Sequence, residues 1–564
     1  MTMRKGTQII LEAIKAQGIK QVFGYPGGCV IPLFDEFLNY PEVQMVRVRH
    51  EQAAAHAADG YARASGKCSV VIVTSGPGAT NTITGIATAA MDSIPMVILT
   101  GQVRTPIIGT DAFQETNVIG VTRPVTKHNY LVKSVHELPE ILTEAFFIAT
   151  TGRPGPVVVD IPVDVQTHMS EVEFPKGVEI PGYELPQPIE VERIEAAWEM
   201  IEASCRPVIY AGGGLNLCLG SEALVRFAET TGIPITTTLL GQGAIPRGHK
   251  LALGMLGMHG EYVANYAMTR ADLVIVLGAR FDDRVTGKVE TFLAQAKIIH
   301  VDIDPSVINK IKDVDLGMVG DLKDALAQWT AKAKALDTKA WLSELAEVEA
   351  KHPLPNYDGL DTADGKLRPE FVIRQFSEIT QGEALVVSDV GQHQMFIAQH
   401  FAFKHPRTHL TSGGLGTMGF SLPAAIGAAF SKPQWPVISF SGDGGFQMNI
   451  QELATVKAYN LPILIVIFNN ANLGMVKQWQ DLFWQSRYAG TIFEESPDFL
   501  KIAEGYGLPG VRIGKKEEVA PAIKKALEVK GPLVLEFMLE SDTCVYPMIP
   551  AGKEFKDLIE GAAT

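Results

Sequence analysis

The chain has 564 residues, 46% hydrophobic and 20% charged, a folded composition with length for three or four domains. Its 49 lysines and arginines stand against 63 aspartates and glutamates, a net charge of −14. That field argues against nucleic acid or an acidic membrane as the main partner. No apolar run approaches the ~18 residues of a spanning helix. Five scattered cysteines without a CxxC pair indicate neither a disulfide framework nor a zinc site, and a reducing, cytoplasmic setting is expected.

In chain order, the first block (1–165) has strand-like runs at Val43–Arg49, Ser69–Thr74, Met96–Thr100 and Val157–Ile161. A proline-bearing, charged stretch, 166–190, reads as a linker. The second block (191–350) has runs at Pro207–Ala211, Leu273–Leu277 and Ile298–Ile303. A second linker, 351–369, carries Pro353, Pro355, Gly359, Gly365 and Pro369. The third block (370–545) has runs at Ala384–Ser388, Val437–Ser441 and Ile463–Phe468, and 546–564 forms a tail. These runs are apolar without strict alternation, as in parallel strands covered on both faces. The expected fold class is α/β, with three open, mostly parallel sheets joined by helical crossovers.

The most specific motif lies in the third block. Strand Val437–Ser441 runs into Gly442-Asp443-Gly444-Gly445, followed by a helical stretch from Phe446 to about Tyr459. The next strand ends in Asn469-Asn470. About two dozen residues separate the two, enough for one βαβ crossover. Asp443 and Asn470 are therefore expected at the carboxyl ends of neighbouring parallel strands, where open sheets bind ligands. A carboxylate with a carboxamide makes hard oxygen ligands for Mg²⁺, and the glycines let backbone N–H groups approach a diphosphate. Alone, the first string reads as a turn and the second as a helix cap; at this spacing after strands, the ion site is the stronger reading.

The spacing resembles the signature of thiamin diphosphate enzymes, whose cofactor needs a carboxylate against its pyrimidine ring. His50-Glu51-Gln52-Ala53 offers one where a strand ends and a helix begins. The likeness then extends over nearly the whole chain. Gly24-Tyr25-Pro26-Gly27-Gly28, Thr74-Ser75-Gly76-Pro77-Gly78-Ala79-Thr80-Asn81, Asp111-Ala112-Phe113-Gln114-Glu115 and Gly152-Arg153-Pro154-Gly155-Pro156-Val157 carry it in the first block. Gly254-Met255-Leu256-Gly257-Met258-His259-Gly260 and Gly278-Ala279-Arg280-Phe281-Asp282-Asp283-Arg284-Val285-Thr286-Gly287 carry it in the second. Gly413-Gly414-Leu415-Gly416-Thr417-Met418-Gly419 and Gly474-Met475-Val476-Lys477-Gln478-Trp479 carry it in the third. Together these strings resemble the acetohydroxyacid synthase (biosynthetic acetolactate synthase) family, three-domain enzymes of the pyruvate oxidase/decarboxylase fold type.

That resemblance implies the following roles. Glu51 activates the pyrimidine, Phe113 and Gln114 flank the reacting carbonyl, and Gly28 belongs to the same catalytic set. Asp443, Asn470 and the backbone oxygen of Asn472 hold Mg²⁺. Pro26, Gly27, Val390, Gly391, Gln392, His393, Gly416, Met418, Gly442, Gly444, Gly445 and Met475 line the thiamin diphosphate site, with Met418 as a flexible wedge beneath the bent cofactor. Arg284, Met258, Val476 and Trp479 meet the substrates, pyruvate and 2-oxobutyrate. The resemblance also implies a homo-oligomer, at least a dimer, in which one subunit's Glu51 completes another's site; a small regulatory subunit is a further possible partner.

The second block departs from a simple nucleotide motif. Gly212-Gly213-Gly214-Leu215-Asn216-Leu217 lacks the third glycine of GxGxxG, and Asp302 follows far later than such a motif requires. The residues alone argue poorly for NAD. The resemblance instead implies structural FAD on Arg153, Gly213, Gly214, Thr238, Leu256, His259, Gly278, Arg280, Asp282, Arg284, Val285, Asp302 and Asp321. One departure is Arg104, where the family often has proline or a small residue. Pyruvate oxidase and catabolic acetolactate synthase remain the nearest alternatives at this stage, and a non-catalytic nucleotide-binding regulator the remote one.

Overall fold

A computed structural model describes residues 2–356 and 365–561; Gly359 of the second expected linker and the last residues of the tail lie outside them. The chain builds three six-stranded sheets, each parallel throughout. The first runs Gln44–Arg47, Gln21–Gly24, Ser69–Val73, Met96–Gln102, Pro156–Pro162, His128–Leu131. The third runs His409–Thr411, Leu385–Ser388, Val437–Gly442, Ile463–Asn469, Leu533–Met538, Gly510–Ile513. Numbered along its own block, each has the order second, first, third, fourth, sixth, fifth. The second runs Ala252–Met255, Ile235–Thr237, Pro207–Ala211, Leu273–Leu277, Lys297–Asp302, Leu316–Val319. This is the order 3-2-1-4-5-6 of doubly wound dinucleotide-binding sheets.

Central strands such as Ser69–Val73, Pro207–Ala211, Leu273–Leu277 and Ile463–Asn469 are buried at every residue, which is why their sequences do not alternate. The strands that sequence inspection misses are mostly short or at sheet edges, such as His409–Thr411 and Gly510–Ile513. Leu533–Met538 escapes notice because Glu536 interrupts its apolar run. That carboxylate is buried and accepts hydrogen bonds from Asn469 (2.8 Å) and Arg512 (2.8 Å).

Two local expectations change. The crossover after Val437–Gly442 is not one helix from Phe446 to Tyr459. It comprises Asp443–Phe446, a single turn at Ile450–Glu452, and Leu453–Ala458. Asn449 breaks it at φ −136° and donates its amide to the Gly419 carbonyl (2.7 Å) instead. The stretch 166–190 also begins with structure: Met169–Val172 pairs antiparallel with Thr2–Lys5.

The first and third sheets are tied by two helices, Glu51–Ser65 and Ser421–Ser431. Their backbones touch through glycine. A Cβ on Gly427 would lie 1.8 Å from the Ala57 carbonyl oxygen, and one on Gly60 would lie 2.1 Å from that of Ala424. Alanines make up much of the rest: Ala53, Ala54, Ala57 and Ala58 share one buried cluster with Ala424, Ala425 and Ala428.

This packing is open to a direct check. Gly427→Ala should lower unfolding stability by about 1–3 kcal/mol, since the clash is with backbone and cannot be relieved by a rotamer. Gly505→Ala, in a helix where an added methyl meets nothing within 4 Å, should instead stabilise by up to ~1 kcal/mol. Urea melts of both variants measure the two signs.

Candidate active site

Strand register places the Asp443–Asn470 pair. Gly442 lies beside Phe468 across the parallel ladder, so the next residues of both strands emerge together at the carboxyl edge. The Asp443 side chain, 1% exposed, accepts from Gly444 N (2.8 Å) and Ala471 N (2.8 Å). Burial still raises its pKa to about 7. Asn470 and Asn472 follow; Ala471 between them has φ +57°, turning the chain sharply back. The Asn472 amide nitrogen is held by the carbonyls of Asn470 (2.9 Å) and Ser541 (3.1 Å), while its Oδ1 is buried with no partner among the described residues.

These residues open onto a cleft continuous with solvent. It gathers Val390, Gly391, Gln392, His393, Met418, Gly442, Asp443, Gly444, Gly445, Asn470, Asn472, Met475 and Val476, nearly all the third-block residues expected there. Gly416, at φ +68°, sits one step back, with Val390 its nearest neighbour. His393 crosses the floor between Gly391 and Gly442; its Nε2 is buried with no partner among the described residues, and burial lowers the ring's pKa to about 4. The imidazole is therefore neutral, with one ring nitrogen unspent.

The loop carrying Met418 is pinned by carboxylates that sequence reading missed. Asp389, at the end of strand Leu385–Ser388, accepts from Val390 N (2.7 Å), Gly419 N (2.9 Å) and the Ser421 hydroxyl (3.2 Å). Burial raises its pKa to about 6. From the first domain, Asp92 accepts from Gly413 N (2.9 Å) and Gly414 N (2.7 Å) and pairs with buried Arg63 (2.8 Å), which also binds Asp59. Thr88 and Thr417 join hydroxyls at 2.7 Å. An acid directly after an apolar strand was a readable signal for Asp389; nothing local marks Asp92.

The first-block residues form a separate group. Glu51 opens its helix beside the N-cap His50. Its carboxylate accepts from Asn81 (3.0 Å), and Gly78 leaves room beside it. Gln114, at φ +60°, lies against Gly76, and Phe113 is 88% exposed. Gly27 packs on Thr74 and Gly28 has open space around its Cα; Pro26 belongs to the same turn. None of these residues lines the cleft of their own chain. Within one chain, then, the structure does not bring Glu51 to Asp443. The loop bearing Phe113 and Gln114 is anchored by Gln102, which donates to Thr116 O (3.0 Å) and to buried Asp160 (2.8 Å). Desolvation raises Asp160 to about 7.

The second sheet collects another set. Gly213 and Gly214, Thr238, Leu256 and His259, Gly278 through Val285, Asp302, and Asp321 all follow or end its six strands at one edge. Gly212 and Gly278 approach so closely that a Cβ on Gly212 would lie 2.1 Å from the Gly278 oxygen. This is the switch point between the first and fourth strands, the place for a dinucleotide. Arg153 reaches it from the first domain and pairs with Asp304 (3.2 Å). Burial raises Asp302 to about 6.

Arg284 stands over the Trp479 ring at 5.8 Å and is also paired with Asp283 (3.3 Å). Met258 donates its N–H to the Arg284 carbonyl (2.7 Å), and its own carbonyl accepts from Ile549 of the tail (2.7 Å). The structure thus brings together Arg284, Met258 and Trp479, while Val476 projects into the adjacent cleft. Arg104 is exposed. Among the described residues no set of three His, Cys, Asp or Glu side chains could hold a metal, so a cation here would rest on Asp443 and amide oxygens.

Comparison with known proteins agrees with the three-domain division. Residues 4–121, 194–329 and 389–537 match the models described as "Thiamine pyrophosphate enzyme, N-terminal TPP binding domain", "central domain" and "C-terminal TPP binding domain". The chain is 47% identical to "Acetolactate synthase 1, chloroplastic" of Zea mays, covering 99% of this chain and 89% of that protein. It belongs to the acetolactate synthase family. Other relatives are "Acetolactate synthase large subunit" of Corynebacterium glutamicum, 46% identical over 98% of this chain and 90% of that one, and "Acetolactate synthase 3, chloroplastic" of Brassica napus, 46% identical over 99% and 87%. Among the described residues, no helix of this acetolactate synthase family member is long and apolar enough to cross a membrane.

The buried acids give a pH signature. Asp160 and Asp389 have folded-state pKa values near 7 and 6, above the unfolded value of about 3.9. These two groups therefore bind more protons in the folded chain than in the unfolded chain between these limits, and their contribution to stability falls as pH rises from about 4 to 7. Against it stands the opposite contribution of the buried histidines His56, His259, His300, His393, His400 and His409, whose pKa values burial lowers. Asp160→Asn should flatten part of that slope. Denaturation at pH 5, 6 and 7.5 without added cofactors checks it.

Proposed function

We propose that the chain is the catalytic chain of a biosynthetic acetolactate synthase, joining two molecules of pyruvate, or pyruvate and 2-oxobutyrate, with loss of CO₂. The observation that carries this reading is the cleft built around Asp443, Asn470 and His393, with Glu51 held apart on another domain. When bound, thiamin diphosphate supplies the electron sink for decarboxylation.

Asp443, Asn470 and the Asn472 backbone would hold Mg²⁺ against the diphosphate, a hard-oxygen set suited to that ion. The unspent Nε2 of His393 and the N–H groups after Gly442 would meet diphosphate oxygens. Met418 would support the bent cofactor from its pinned loop. Glu51 of a second copy would hold and return a proton at the pyrimidine, so the active form is at least a dimer. Phe113, Gln114 and Gly28, carried beside Glu51, would then face the reacting carbonyl. Arg284 offers a fork for a 2-oxo acid carboxylate, and Trp479 an apolar wall for its alkyl end.

FAD fits the edge of the second sheet, where the 3-2-1-4-5-6 order and the glycine approach support a dinucleotide; its part would be structural. The five unpaired cysteines support a reducing compartment, the cytoplasm. Family resemblance also supports a small regulatory subunit, and assays with and without valine on the chain alone test for it.

Purified protein should be yellow and form acetolactate from pyruvate without a stoichiometric oxidant. Glu51→Gln should keep its fold and thiamin diphosphate binding but lose about 100-fold or more in rate; full activity in that variant would sink the mechanism. Trp479→Leu should lower the preference for 2-oxobutyrate over pyruvate by about tenfold, the worth of one methylene against an apolar wall. Competition of both acceptors in one tube measures it, and an unchanged product ratio makes Trp479 a packing residue.

A further inference from the structure

Gln478 lies one residue before Trp479 on the helix Gly474–Phe483 and is 1% exposed. Every bond it makes is determinate. The Val545 N–H donates to its Oε1 (2.8 Å), so that end of the amide is the oxygen. The Val545 carbonyl accepts from its Nε2 (3.1 Å), so the other end is the nitrogen; Met548 Sδ is a second acceptor there (3.5 Å). Backbone groups thereby fix an orientation that a side-chain amide alone leaves ambiguous.

The consequence passes to Gln392 in the cleft wall. Its Nε2 donates to Gln478 Oε1 (2.9 Å) and to the Thr543 carbonyl (2.7 Å), which uses both of its N–H bonds. The Gln392 Oε1 is left turned toward the Gly474 backbone beside the Asn470 amide, all three being residues of the cleft wall. Were Gln478 absent, Gln392 would lose one of two partners that tell its nitrogen from its oxygen.

We propose that Gln478 is a positioning residue which, through Gln392 and the segment Thr543–Met548, presents a hydrogen-bond acceptor rather than a donor to the wall of the thiamin diphosphate cleft. This rests on the functional reading above. Gln478 itself is not among the residues that line the cleft. It also explains why the segment following Leu533–Met538 returns to this helix: Gln478 pairs with both the N–H and the carbonyl of Val545, as a neighbouring strand would.

The test is a double-mutant cycle on purified full-length protein with methionine, which keeps length and packing but has no amide. Wild type, Gln478→Met, Gln392→Met and the double variant are titrated with thiamin diphosphate and Mg²⁺ by calorimetry, and their thermal melts are recorded without cofactor. Gln478→Met should weaken binding by roughly tenfold, and in the Gln392→Met background the same change should cost little more. Equal tenfold losses in both backgrounds, or binding unchanged in Gln478→Met, would overturn the proposal. If weakened binding tracks only a lowered melting temperature, equally in both backgrounds, Gln478 is structural and the proposal also fails. A wild-type protein that binds no thiamin diphosphate would overturn the functional reading instead.

Discussion

The architecture depends on the backbone contact between helices Glu51–Ser65 and Ser421–Ser431. Only glycine at Gly60 and Gly427 permits it, because the facing carbonyl oxygens occupy the space a Cβ would need. The first helix starts with Glu51; the second follows directly on the loop that carries Met418. Bringing their middles together sets the first and third domains at one fixed distance. It also commits Glu51 to its own domain's face, away from the cleft around Asp443. A close intrachain contact and the separation of Glu51 from Asp443 within one chain are two consequences of the same packing.

Buried charge then sharpens the arrangement. A carboxylate taken out of water is costly unless donors surround it, and the chain surrounds several with backbone N–H groups of loops that must hold a shape. Asp92 grips Gly413 and Gly414, and Asp389 grips Val390 and Gly419. Asp160 reaches the Phe113–Gln114 loop through Gln102. Each acid ties a loop to a fixed backbone path. Arg63 offsets part of the charge at Asp59 and Asp92, and Arg280 stands nearby, within 2.8 Å of where a Cβ on Gly414 would lie.

Much of this was legible in the sequence for a physical reason. Strands buried on both faces leave unbroken apolar runs, and ligands sit at their carboxyl ends, so Asp443, Asn470 and Glu51 could be located from the runs beside them. The second sheet was harder. Its glycines depart from the spacing of the simple motif, and only the strand order reveals a topological switch point. Asp92, Asp160 and Gln478 were illegible because their partners lie 29 to 322 residues away along the chain. The crossover after Asp443 was misread as one helix because Asn449 spends its amide on Gly419, a tertiary bond that local propensity does not register.

In the proposed enzyme each site joins Glu51 of one copy to Asp443 of another. Mixing two inactive variants tests it most directly. Glu51→Gln chains are co-expressed with Asp443→Ala chains, and acetolactate formation is measured in the mixture. If sites form between copies, mixed dimers contain one intact site, and random pairing restores about a quarter of wild-type activity. If the mixture is as inactive as either variant alone, Glu51 and Asp443 do not act across copies and the account is wrong.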